Sequence, residues 1–273
     1  GLGRPRGTAK VEMVIAEFFG AEAAALVRGA GTGAIRFALQ AVLRSGDKIL
    51  IHDAPIYSTT VTTMEFMGID IVKADMNNKD EVLKAINSDI KLIYIQHSRQ
   101  KSSDSYDMYE LIKAIREVTN IPIITDENYT VFKTKYIGTQ VGATASCFSC
   151  FKLLGPEGIG CVVGDRSIVD KIRGMNYSGG GQVQGYEAMD ALRSMVFVPV
   201  MAAIQAEEIT KIAETINSGE IEEAKAAYIV NAQSRTIMVE LKDPISLKVI
   251  EAADKLGAAS HPVGAESRYE VTP

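Results

Sequence analysis

The chain has 273 residues, 47% of them hydrophobic, enough to bury a sizeable core in one large domain or in one domain with a smaller partner. Its formal net charge is −5 and its basic residues are scattered, so the electrostatic footprint of a nucleic-acid binder is missing. No apolar run reaches membrane-spanning length, the longest (SMVFVPVMAAI) being broken by Pro199, and the N-terminal GLGRPRGTAK has no signal-peptide apolar region. Three cysteines in a chain of this size make no disulfide framework, which points to the cytoplasm. The start without methionine and the end at SRYEVTP are expected to reflect either a fragment or disordered ends left out of the sequence.

Short apolar runs alternate with helical periodicity along the first two thirds. Helical patterns at 9–19, 33–43, 59–67, 80–86 and 106–118 separate strand patterns at 23–27, 48–51, 69–72, 91–95 and 121–125, and two further strands follow at 146–149 and 160–163. Strands linked by amphipathic helices predict an α/β fold, a mostly parallel seven-stranded sheet with helices on both faces. The last two strands are joined by only about ten residues without helical periodicity, too short for a crossover, so that pair is expected to be antiparallel. From 184 to 216 the pattern is one long helical stretch, rich in Met and Phe as a packed or subunit-facing helix would be, with a break or kink expected at Pro199. RTIMVEL and PISLKVIEAADKLG then open a smaller α+β unit, giving a large domain over 1–216 and a partial C-terminal domain over 217–273.

Ligands of such sheets bind beyond the carboxyl ends of the parallel strands, so the loops after the strands are where chemistry is sought. After the first strand, VRGAGTGAIRFAL places Gly29, Gly31 and Gly33 before a helix. Three readings stay open there: a dinucleotide fingerprint using Asp53, a cradle in which Gly31, Thr32 and Gly33 hold one phosphate, or a tight turn with no ligand. After the second strand, HDAPIYSTT offers Tyr57 to stack on a flat ligand or to pack the helix start, and His52 reads as structural. After the fourth, YIQHSRQKSSDSY brings His97, Ser98 and Arg99, to contact an anion or a phenolic oxygen, or to form a solvated loop. After the fifth, IPIITDENYTVF leaves Asp126 at the end of an apolar strand, where a buried carboxylate needs a cation or a strong donor.

SCFSCFKLLGPEGIGCVVG then sets Ser149 three residues before Lys152, with Pro156 keeping the lysine off a helix. A metal or redox role for Cys147 and Cys150 is disfavoured, because their spacing falls in an alternating strand and no second Cys/His pair follows. A lysine, an upstream aspartate, an anion-binding turn and a tyrosine at one sheet edge are the set that pyridoxal 5'-phosphate requires: an amine to carry it, a carboxylate for its ring nitrogen, amides and hydroxyls for its phosphate and a flat side chain for its ring.

GAGTGAIR, HDAPIYSTT, TDENYTVFK and FSCFKLLGPEGIGCVVGD together resemble a fold-type I pyridoxal-phosphate enzyme of the aspartate aminotransferase superfamily, in a bacterial class V-like aminotransferase branch, over essentially the whole chain. The resemblance implies Lys152 as the Schiff-base lysine and Asp126 as the ring-nitrogen partner. It also implies Thr32 and Gly33 with Ser149 on the phosphate, Tyr57 over the ring, and His97 or Ser98 at the ring hydroxyl. YSGGGQVQG, residues 177–185, is similar to the segment that in class V relatives approaches the cofactor of the neighbouring subunit, which implies a homodimer with a shared site. Class V members usually stack a histidine where this chain has Tyr57, and the arginine that binds the substrate carboxylate is expected beyond the end of this chain, with Arg99 and Arg268 as substitutes. The implied activity is transamination of an amino acid, with elimination or replacement as in lyases and selenocysteine synthases as the alternative; a nicotinamide-dependent oxidoreductase and a non-catalytic relative are more distant readings.

Overall fold

A computed structural model describes residues 4–98, 100–101, 103–178, 180–231 and 236–258, in two compact units, 1–196 and 197–273. The first unit runs α1 (Arg6–Phe18), β1 (Ala23–Arg28), α2 (Ala30–Val42), β2 (Lys48–His52), α3 (Ser58–Met67), β3 (Asp70–Ala74), α4 (Lys79–Ala85), β4 (Ile90–Gln96), α5 (Met108–Val118), β5 (Ile123–Asp126), β6 (Ala145–Ser149), β7 (Ile159–Gly164) and α6 (Arg166–Met175). The long α7 (Gly185–Asn217) follows, and the second unit adds the antiparallel pair β8 (Ala224–Asn231) and β9 (Thr236–Leu241) and then α8 (Ser246–Lys255).

The seven strands of the first unit lie in the order β1-β7-β6-β5-β4-β2-β3. β2, β3, β4, β5 and β6 pair in parallel, and β7 is antiparallel to both β6 and β1. The expected antiparallel closing pair is therefore present, and β7 also receives β1, the strand farthest from it in sequence. Crossover from β3 to β4 passes β2, so strand order reverses between β2 and β4, where an open sheet of this kind leaves a crevice at its carboxyl edge.

Period-2 alternation explains why both faces are covered. On β4, Leu92 and Tyr94 join the core under α2 with Ile49, Ile51, Ile124 and Val162. Its alternate residues Ile93 and Ile95 pack with Leu111, Ile112 and Ile115 of α5 on the other face. Each fully buried Ile or Leu of this kind contributes about 1.5–3 kcal/mol, so the sheet edge carrying the loops rests on a rigid base.

Three local expectations change. Helix α2 begins at Ala30, not Gly33, because Gly29 (φ 92°) and Ala30 (φ 52°) turn sharply and both donate their N–H to Gly158 O, at 2.8 and 3.1 Å. Gly31, Thr32 and Gly33 thus form the first helical turn instead of a loop before it. Helix α7 continues through Pro199 without the anticipated break: a proline removes one N–H donor, and the flanking turns of a 33-residue helix keep their own bonds. Helix α6 and strand β8, which the sequence pattern does not suggest, complete the two units. Among the described residues no helix is long and apolar enough to cross a membrane.

Candidate active site at the carboxyl edge of the sheet

Asp126 ends β5, in register with Gln96 on β4 and Cys147 on β6, so it emerges between two strands that each carry a loop of interest. Only 7% of it is exposed. Oδ2 accepts from the Tyr94 hydroxyl at 3.0 Å, and Oδ1 accepts from the Asn128 backbone N–H at 3.0 Å and its Nδ2 at 2.7 Å. Burial pushes the Asp126 carboxyl above its ordinary range, the hydrogen bonds from Asn128 and Tyr94 work against that rise, and Glu127's charge adds to it. All its described partners are neutral donors. Three donors on a group with about four acceptor sites leave room for one more, and its charge is still to be matched.

Asn128 ties the site together. Its Oδ1 accepts from the Ser149 N–H at 2.9 Å, joining the ends of β5 and β6. A Cβ on Gly31 would meet the same Oδ1 at 2.1 Å, so the first turn of α2 presses on Asn128 and only glycine fits there. Ser149 is 1% exposed and its Oγ has no hydrogen-bond partner among the described residues. A buried hydroxyl left in that state beside the first turn of a helix calls for an acceptor. Gly33 enters differently: its N–H donates to Gly29 O at 2.7 Å, and a Cβ there would meet Arg28 O at 2.0 Å, so its task is close packing. Thr32 Oγ1 lies 3.0 Å from Thr59 Oγ1, linking that turn to the start of α3, where Tyr57 is the N-cap residue and half exposed.

Lys152 lies in a single 3-10 turn, Phe151–Leu153, which Leu154 ends in the left-handed region (φ 58°) before Gly155 and Pro156. Leu153 and Gly155 both donate to Cys150 O at 2.9 Å, fixing the turn. The Lys152 Nζ stands 3.9 Å from the centroid of the Tyr129 ring, within cation–π range. Burial, and then the charge of Lys152, hold the Lys133 ammonium below its ordinary range, which puts a second cation in this neighbourhood.

His97 is buried and faces inward. Its Nδ1 is 2.6 Å from Glu127 Oε2, which also accepts from Thr130 Oγ1, while Glu127 Oε1 accepts from Gly138 N–H at 2.8 Å. Ser98 is buried too, and Gln96 Nε2 donates to both its carbonyl and its hydroxyl at 3.3 Å. The edge thus joins Asp126, Ser149 and Gly31 through Asn128, puts Lys152 beside the adjacent Tyr129, and attaches His97 through Glu127. Among the described residues, Tyr57 makes no hydrogen bond or ring contact with that group. Arg99 and Arg268 lie outside the described residues.

Sequence reasoning missed Tyr94, Glu127, Asn128 and Tyr129. Signals existed for two of them: a hydroxyl-bearing tyrosine inside the apolar strand IKLIYIQ, and an asparagine two residues after a strand-ending aspartate, the spacing of an Asx turn. The competing readings find less. Asp53, needed by a dinucleotide, is exposed and paired with Lys73 at 3.7 Å. Cys147, Cys150 and Cys161 are buried with their thiols pushed up by burial, and no group of potential metal ligands forms among the described residues.

The sequence profile of the aminotransferase class-V family matches residues 6–238, and that of the YhfS-like C-terminal domain matches 210–273. Escherichia coli (strain K12) YhfS is 46% identical over 276 residues, spanning 100% of this chain and 76% of its own. The crystal structure of YhfS, described as a pyridoxal-5'-phosphate dependent protein, superposes with a TM-score of 0.94 over 99% of this chain and 75% of that one. An L-methionine gamma-lyase of Fusobacterium nucleatum subsp. polymorphum is 26% identical over 227 residues, 79% of this chain but 56% of the lyase. The cystathione gamma lyase CalE6 of Micromonospora echinospora, at 16% identity and a TM-score of 0.70 over 83% of this chain and 60% of that one, shares the fold. The chain belongs to the aminotransferase class-V family, among the fold-type I pyridoxal-phosphate enzymes.

Proposed function

We propose that this chain binds pyridoxal 5'-phosphate and acts at the Cα of an amino acid, most simply as an aminotransferase. The observation that carries the reading is Asp126: a buried carboxylate held by three neutral donors, with a site left for a cation, next to the orphaned hydroxyl of Ser149 and the turn bearing Lys152. The residues present fit the cofactor. Lys152 Nζ would attach it covalently, Asp126 would meet its ring nitrogen, and Ser149 Oγ with the first-turn amides of Gly31 and Thr32 would take its phosphate. Gly33 gives that turn its close approach, Tyr57 would cover the ring, and His97 or Ser98 would reach the ring hydroxyl.

When bound, the protonated ring supplies the electron sink that stabilises negative charge at Cα. Asp126 keeps the ring nitrogen protonated by opposite charge, which in turn relieves the cost of its own burial. Lys152 Nζ, as an unprotonated amine, would be the base for the Cα proton. The Tyr129 face positions Nζ for that task. We take the enzyme to work in the cytoplasm as a homodimer, with segment 177–185 approaching the partner's site; a monomer in sedimentation at working concentrations would remove that part.

The test is direct. Purified protein mixed with the cofactor should show a visible absorption band and, after borohydride, a stable adduct at Lys152 that Lys152→Ala lacks; a colourless protein with no adduct would overturn the reading. The second reading, elimination, is favoured by the likeness to L-methionine gamma-lyases. Release of ammonia and a 2-oxo acid without an amino acceptor selects it, whereas nitrogen recovered on an added 2-oxo acid selects transamination.

A further inference from the structure

A cavity of about 260 Å³ opens between α1, β1 and the segment after α6; Asp126, Ser149 and Lys152 do not line it, while Tyr177, Gln182 and Val183 of segment 177–185 do. Glu12 lies in its wall, 3% exposed and fully engaged. Its Oε1 accepts from Leu26 N–H at 3.0 Å, and its Oε2 pairs with Arg4 Nη1 at 3.2 Å and Arg173 Nη2 at 3.4 Å. Arg173 spends its other contacts on Ala24 O and on the exposed Asp170, each at 2.9 Å. Among the described residues its Nε is buried without an acceptor, and so is Nδ2 of Asn176, a residue 9% exposed. Both residues line the cavity, three apart at the end of α6 and therefore on one face.

Two buried donors without acceptors are costly, and a wall that already satisfies its only buried carboxylate has nothing to give them. Glu12 and Asp170 already match the two guanidinium charges, so the remaining demand is for acceptor oxygens, which the two oxygens of one carboxylate supply. The rest of the wall includes Pro5, Ala25, Leu26 and Val183, which suit a short carbon chain. The volume is below that of pockets taking drug-sized ligands. We propose that this cavity binds a small organic carboxylate, its oxygens accepting from Arg173 Nε and Asn176 Nδ2 and its carbon chain lying on the apolar wall.

The proposal is independent of the cofactor and tested apart from it. Propionate is titrated into the full chain and followed by broadening of its methyl resonance, with 1-propanol as the uncharged probe of equal length. Saturable binding of propionate but not of propanol is expected, weakened at least tenfold in Asn176→Leu, which leaves the bonds of Arg173 and Glu12 described above in place. Should that variant fail to fold, Asn176→Ser, which shortens the polar side chain and withdraws the amide donor, is expected to show the same loss. A native chain that binds no propionate, or that binds it equally well after the Asn176 substitution, overturns the proposal; the latter result would assign binding to another site, such as the one at Lys152. A visible band with the cofactor in all variants would show that the edge site is intact whichever way the titration falls.

Discussion

Asp126 and Asp104 show how two buried carboxylates on one protein respond to protons in opposite senses. Burial raises the Asp126 carboxyl above its ordinary value, so without the cofactor its charge opposes folding, and the protein gains stability as pH falls through that raised value. Asp126→Asn can seat its amide oxygen toward Asn128 and its NH2 toward the Tyr94 oxygen. The expected outcome is a cofactor-free protein at least as stable at pH 7 as the native one, its acid-side gain flattened, with kcat/KM down by about 10²-fold or more because the ring nitrogen loses its counter-charge. Denaturation curves and steady-state rates decide it; undiminished activity, or a fold weakened by several kcal/mol, would make Asp126 a structural residue. Asp126, Ser149 and Lys152 are legible as sequence because each stands where an apolar run stops. Asn128 is not, because its importance comes from touching Asp126, Ser149 and Gly31 at once, a meeting that exists only after β5, β6 and α2 are assembled.

At the scale of elements, the loop after β4 is held by a clamp the sequence left as a lone structural histidine. His52, at the end of β2 and 1% exposed, accepts from Met76 N–H at Nδ1 (3.0 Å), which leaves Nε2 to donate to Asp104 at 2.9 Å. Asp104 also accepts from the N–H groups of Gln100 and Lys101, at 2.9 and 2.8 Å, and from Asn77 Nδ2 at 3.2 Å. Burial works against its charge, but the bonds from His52, Lys101, Gln100 and Asn77 outweigh burial and hold its pKa at about 2, against 3.8 ordinarily. A depressed carboxyl contributes stability that is fully present above the unfolded value and lost as pH falls from about 4 toward 2, here about 2 kcal/mol. Asp104→Asn is therefore expected to lose about that much at pH 7, to flatten the acid limb, and to speed amide exchange at Gln100 and Lys101. An unchanged denaturant midpoint would mean the clamp carries no stability. The strands around this loop were readable as apolar runs, but the bond joining residues 52 and 104 was not, since nothing local marks two polar residues as partners across a sheet edge.

For the whole molecule, the run of seven strands was legible because each is a short apolar run set off from helical periodicity, whereas their order was not. The β1–β7 pairing, Ala23↔Gly164 through Arg28↔Ile159, joins segments more than a hundred residues apart, and no pattern within either strand names the other. The three cysteines report on that assembly. Cys147 lies on β6, Cys161 on β7 and Cys150 just past β6, all with no exposed surface. Burial raises every thiol well above its ordinary value, Cys150 to about 12. At pH 8 a thiol with that pKa is thiolate in only about one molecule in 10⁴, compared with roughly a quarter for an exposed cysteine. Reactivity therefore requires the sheet to open, since both the charge and the access of the alkylating agent depend on losing the packing around β6 and β7. Iodoacetamide at pH 8 is expected to leave all three thiols unmodified in the native protein and to label them together, with a rate that rises along the same guanidinium curve as the loss of far-ultraviolet ellipticity. Prompt labelling of one thiol in buffer, with the ellipticity unchanged, would show that β6 and β7 open separately from the rest of the sheet and that the edge carrying Lys152 is not rigidly held.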